Sequence, residues 1–124
     1  MHKTTTAHFE IFKKACQKWV AEFGLTDWRI IYEHSDELDD DAAALCAAQP
    51  IDRVACIMLS TNWDTEEPTE QMVRLAAFHE VTELLTMGLY EKAMSRSIVE
   101  QDVMAENHIL IRRLENFMLR QGHI

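Results

Sequence analysis

The stretch Phe78-His79-Glu80-Val81-Thr82-Glu83-Leu84-Leu85 holds the one arrangement of ligand-type side chains in this chain that core packing does not require. In a helix, residues four apart share a face. His79 and Glu83 would then stand one turn apart, with Glu80 a third of a turn away and able to reach the same point. A catalytic zinc site uses three protein ligands and leaves one position open, and both imidazole nitrogen and carboxylate oxygen are accepted donors. His79 and Glu83 are therefore candidate Zn2+ ligands. Glu80 is the candidate general base, taking a proton from an activated water and passing it to a leaving group. The pattern is His-Glu-x-x-Glu, with a carboxylate where His-Glu-x-x-His has its second imidazole. The competing structural reading is a core histidine hydrogen-bonded to Glu83 with no metal at all.

A third ligand has to come from elsewhere in the chain. If the last two helices form an antiparallel hairpin about a connection near Met94, His79 lies level with His108 and Glu83 with about Ala105. His108 borders the apolar arc of the last helix and is the first choice. Glu106 and Glu100 remain alternatives.

The elements that must position these groups follow from periodicity. Phe9, Phe12, Cys16, Trp19, Val20 and Phe23 recur at three and four, predicting a helix from about Thr6 to Phe23, preceded by capping threonines and stopped by Gly24 and Leu25. Thr26–Glu33 alternates as a half-buried strand. Ser35–Asp41 reads as a solvated acidic turn, for it lacks the central glycine and closing glutamate of a calcium loop. Ala42–Ala48 is alanine-rich and helix-prone, but it is short and precedes the alternating run Arg53–Ser60. An antiparallel meander with this segment in the middle is the expectation, with Pro50 in the turn. A helix entered at Asp64 or Thr65, with Pro68 in its first turn, should carry the motif to about Met87 and end near Gly88. Ser97-Ile98-Val99-Glu100 has capping-box spacing for a last helix running out to Gly122. The fold class is α+β: one N-terminal helix, a three-stranded mainly antiparallel sheet and two C-terminal helices, in a single domain over residues 1–124.

Composition narrows the partners. With 124 residues, 48% of them hydrophobic, the chain can bury a core without metal or disulfide staples, so a metal would serve function. A net charge of −9 argues against nucleic acid, whose binders concentrate Lys and Arg. No apolar run approaches the roughly 20 residues of a membrane helix, and the first residues lack the apolar core of a signal peptide, so neither membrane insertion nor export is expected and the cytoplasm is the expected compartment. Cys16, Cys46 and Cys56 read as reduced core thiols.

The chain resembles a family of small proteins, mostly encoded by phages or prophages, that are described as metallopeptidases and are similar to the zincins. The resemblance rests on the leading helix, a strand with Trp28, the strand end Ile57-Met58-Leu59-Ser60, the Phe78–Leu85 stretch and the closing Asn107-His108-Ile109-Leu110-Ile111-Arg112-Arg113-Leu114-Glu115-Asn116. It implies a zincin-like α+β fold, Zn2+ held by His79, Glu83 and His108, Glu80 as base, and a peptide or protein substrate. Many of these proteins carry histidine at the position of Glu83. A zincin-like module without catalytic activity, serving interaction or metal binding, is the alternative.

Overall fold

A computed structural model describes residues 2–39, 42–97 and 99–122. The elements run β1 (His2–Lys3), α1 (Thr6–Glu22), β2 (Arg29–Ser35), β3 (Ala44–Gln49), β4 (Val54–Ser60), β5 (Asn62–Trp63), α2 (Glu70–Met94) and α3 (Glu100–Arg120). This is the α+β layout expected: an N-terminal helix, a three-stranded sheet and two C-terminal helices.

The ends of α1 lie where the sequence places them. The Thr5 hydroxyl accepts from His8 N–H, and His8 Nδ1 accepts from Thr5 N–H at 2.9 Å, closing a capping box with histidine in the usual glutamate position. At the other end Gly24 adopts φ 68°. Gly24 N–H reaches Ala21 O at 3.1 Å and Leu25 N–H reaches Val20 O at 2.9 Å, a Schellman motif that turns Leu25 into the core.

The sheet is mixed, in the order β2-β4-β3, which corrects the expected meander. β3 returns antiparallel to β4 through the Pro50–Arg53 turn, whereas β2 pairs with β4 in parallel. The physical reason lies in β4, where Val54-Ala55-Cys56-Ile57-Met58-Leu59 is apolar on both faces and suits the central position. Alanine-rich β3 takes an edge. Ile30, Tyr32, Ala55, Ile57, Leu59, Ala44 and Cys46 face the helices, and the core gathers there with Phe12, Cys16, Val73, Ala77, Val81 and Leu84. A short ribbon of β1 against β5, absent from the sequence reading, ties the N-terminus to the end of the sheet, with the Thr4 hydroxyl donating to Ser60 O at 2.6 Å.

Two helix boundaries differ from expectation. α2 starts later, capped by the Thr69 hydroxyl on Met72 N–H at 3.2 Å, so Pro68 precedes the cap and Asp64 and Thr65 stay in the loop. It also runs through Gly88 to Met94. Glu106 of α3 packs across Gly88, so close that a Cβ placed there would lie 2.5 Å from Glu106 Oε2. The hairpin pivot is therefore near residue 97, and α3 begins at Glu100 with Val99 as cap residue and no side-chain cap. Ser97 is not the cap, and Ile98 of the expected capping box lies outside the described residues, as do Asp40 and Asp41 of the acidic turn.

Gly88→Ala is expected to stabilise the protein by up to about 1 kcal/mol. A mid-helix glycine costs about that much relative to alanine, and the obstructing atom is the far end of a partly exposed, flexible glutamate. Urea denaturation of the two proteins checks it, and a loss of stability above about 1 kcal/mol would show that the Glu106 packing outweighs helix propensity.

Candidate metal centre

α2 is the element from which the candidate site is built. Its buried stripe, Val73, Ala77, Glu80, Val81, Leu84 and Leu85, recurs at the spacing of one helix face. Glu80 is the polar member of that stripe and is only 6% exposed. One turn of helix then fixes the rest: His79, Glu80 and Glu83 each offer a ligand atom, and the three atoms lie within 4.8 Å of one another. His79 and Glu83 are on the exposed rim while Glu80 points inward.

Glu80 Oε2 is buried and has no hydrogen-bond partner. Such an atom normally finds a donor, because desolvating it without one costs on the order of 1 to 3 kcal/mol. Burial, then hydrogen bonding to Glu83, then the Glu83 charge together push the Glu80 carboxyl up to about 8. Thiols close by respond to the same environment. Cys46, on the covered face of β3, is pushed up to about 12 by burial and by the Glu80 and Glu83 carboxylates. Cys16, on α1, is raised by burial and by Glu80. The carboxylate pair thus sits at the junction of α1, α2 and β3.

A divalent cation fits this donor set. His79 and Glu83 are zinc-competent donors, and an ion held between them would give the partnerless Glu80 oxygen the positive neighbour it lacks. Ligand atoms on a tetrahedral zinc stand about 3.4 Å apart, closer than the spread found here, and the exposed side chains of His79 and Glu83 have room to turn inward.

α3 brings none of the expected third ligands to this group. His108 is exposed, and the pivot near residue 97 instead of Met94 shifts the helices' pairing by six residues, about 9 Å at about 1.5 Å per residue. His108 stands level with Thr86 and Met87. Glu106 lies over Gly88 in a small cavity also lined by Arg53 and Arg113, and Glu100 opens α3 on the surface. The hairpin height was misjudged because Gly88, read as a helix stop, sits inside α2.

Sequence reasoning also missed the wall opposite the motif. A groove of about 420 Å³ runs from His79 and Glu80 past Leu75 to Ala43, Trp63 and Glu66. Trp63 Nε1 donates to Ala43 O at 3.1 Å and fixes the start of β3 there. The signal available was an indole three residues past the expected strand Arg53–Ser60, a residue type that needs a partner for its N–H when buried. The outer edge of β3 is unpaired among the described residues. Among the described residues no helix is long and apolar enough to cross a membrane. Compared with known protein families, curated proteins and solved structures, the chain matches none.

With its folded pKa raised from 4.5 to about 8, Glu80 holds a proton in the folded state that the unfolded chain has already released. Its contribution to stability is full below about pH 4.5 and is lost as pH rises toward 8. In chelator-treated protein the Tm should fall over that range, and Glu80→Gln should remove most of the slope. Thermal melts by circular dichroism at stepped pH read this, and an unchanged slope in the variant would place the titration elsewhere.

Proposed function

We propose that this chain is a zinc-dependent hydrolase of the minimal metallopeptidase type. The observation that carries the proposal is the buried Glu80 carboxyl, whose Oε2 has no partner, with its ligand atom within 4.8 Å of those offered by His79 and Glu83. The resemblance to small phage-type metallopeptidases supports the same reading. His79 and Glu83 would hold the ion. When bound, zinc supplies Lewis acidity that makes water a nucleophile near neutral pH. Glu80, whose environment raises its affinity for protons, takes one from water and returns it to the departing amine. An extended peptide would add to the unpaired edge of β3 by main-chain hydrogen bonds, with its side chains toward the groove between Ala43, Trp63 and Leu75.

A second reading is favoured by the position of His108. With three side chains converging and no α3 ligand joining them, the site would bind a cation without turning over a substrate, as an inactive zincin-like module.

Purification without chelator, metal analysis and zinc titration followed by assay on a peptide library separate the two. The hydrolase reading expects about one equivalent of zinc, loss of binding in His79→Ala, and turnover that falls about 100-fold or more in Glu80→Gln while zinc is retained. Zinc bound with no peptide cut selects the second reading. Protein that takes up no zinc, or a His79→Ala variant that binds it equally well, removes both.

A further inference from the structure

We infer that the chain pairs with a second copy of itself, the exposed apolar face of α3 from one copy seating in the groove between α1 and α2 of the other. The groove, about 660 Å³, has an apolar floor from Ile11, Ala15, Trp19, Leu75 and Phe78. Its walls repeat at i, i+4, i+8 on α1 and at i+3 and i+4 on α2. This is the corrugation left open when two helices of a three-helix packing lack the third. Lys14, Lys18 and Arg74 also line it, and no acidic residue does, in a chain with 21 Asp and Glu against 12 Lys and Arg. The Arg74 guanidinium is paired with Glu70 on its own helix, whereas Lys18 lies over the Trp19 ring at 4.9 Å. The occupant should be an apolar helix edged by carboxylates.

α3 has those properties. None of its residues is buried, and Leu110 and Phe117 are its partly buried hydrophobics packed against the core. Beside that contact, Met104, Ile111, Leu114 and Met118 form a second stripe that is 37–53% exposed. At about 100° per residue Glu100 lies within this stripe's arc and Glu115 about 20° beyond its edge, while Arg112 and Arg113 lie farther outside it. Glu115 is held only by exposed Arg112 at 3.3 Å. Ile111, Leu114 and Met118 span two turns, as do Ile11 to Trp19 and Gln71 to Phe78 along the groove. Each copy has both halves, so reciprocal seating closes as a two-fold dimer. The chain-wide charge of −9 opposes association, but the screening length at about 0.15 M salt is only about 8 Å, which confines that opposition to charges near the contact.

Sedimentation equilibrium of the full chain over a range of concentrations tests this. A dimer is expected. Leu75→Glu in the groove and Ile111→Glu on the stripe, both at exposed positions, should each weaken it by about 100-fold or more through an unpaired carboxylate in an apolar contact, with the far-ultraviolet circular dichroism spectrum of the folded chain unchanged. Lys14→Glu with Lys18→Glu should also dissociate it. Adding Glu115→Lys, at the edge of the seated turns, to that chain should recover part of the lost affinity. A protein that is monomeric at every concentration overturns the inference. A dimer that survives both Leu75→Glu and Ile111→Glu overturns it as well, since it must use another surface such as the open face of the sheet.

Discussion

A carboxylate pressed between a helix and a sheet is the constraint around which the rest of this protein is arranged. Glu80 belongs by position to the apolar stripe of α2, so the packing that buries Val73, Ala77, Val81 and Leu84 buries it too. Helix register allows no escape, because rotating α2 to expose Glu80 would expose those four residues, each worth on the order of 1 to 3 kcal/mol of burial. The oxygen is therefore held dry without a donor. The groups around it are also proton-binding: Glu83 beside it, and two thiols whose acidity is suppressed by the same dry, anion-rich surroundings. Such a pocket favours whatever brings positive charge, whether a proton or a metal ion.

The sheet decides what that pocket faces. Because β4 fills the centre and β3 the edge, the strand nearest α2 has small side chains and an unpaired rim. Small residues on β3 let α2 approach closely enough for Glu80 and Glu83 to sit over Cys46. The hydrogen bond from Trp63 to Ala43 then fixes the mouth of the groove beside them. A central β3, as in a meander, would have had both edges paired and nothing to offer an extended ligand.

α3 stands in contrast to this core. It is held by the aromatic cluster of Trp19, Phe23 and Phe117, by Leu110, and by contacts from Arg120 to Glu22. Much of its apolar surface stays in water. A helix attached along one narrow seam is placed by the details of that seam, here the position of Glu106 over Gly88, and not by the sequence spacing of its histidine.

Local rules read from the chain determined a good deal. The start and stop of α1, the strands β2, β3 and β4 to within a few residues, the α+β class and the convergence of His79, Glu80 and Glu83 all depend on interactions between residues close in sequence: caps, alternation and one turn of helix. What depended on distant contacts was not legible. Strand order hinges on which strand is apolar on both faces once the helices are in place, and the extent of α2 hinges on packing from α3 that lets a glycine stay helical. Burial of Glu80, which gives the site its chemistry, appears only when α1 and β3 close over a helix face that the sequence alone marks as apolar with one acid in it.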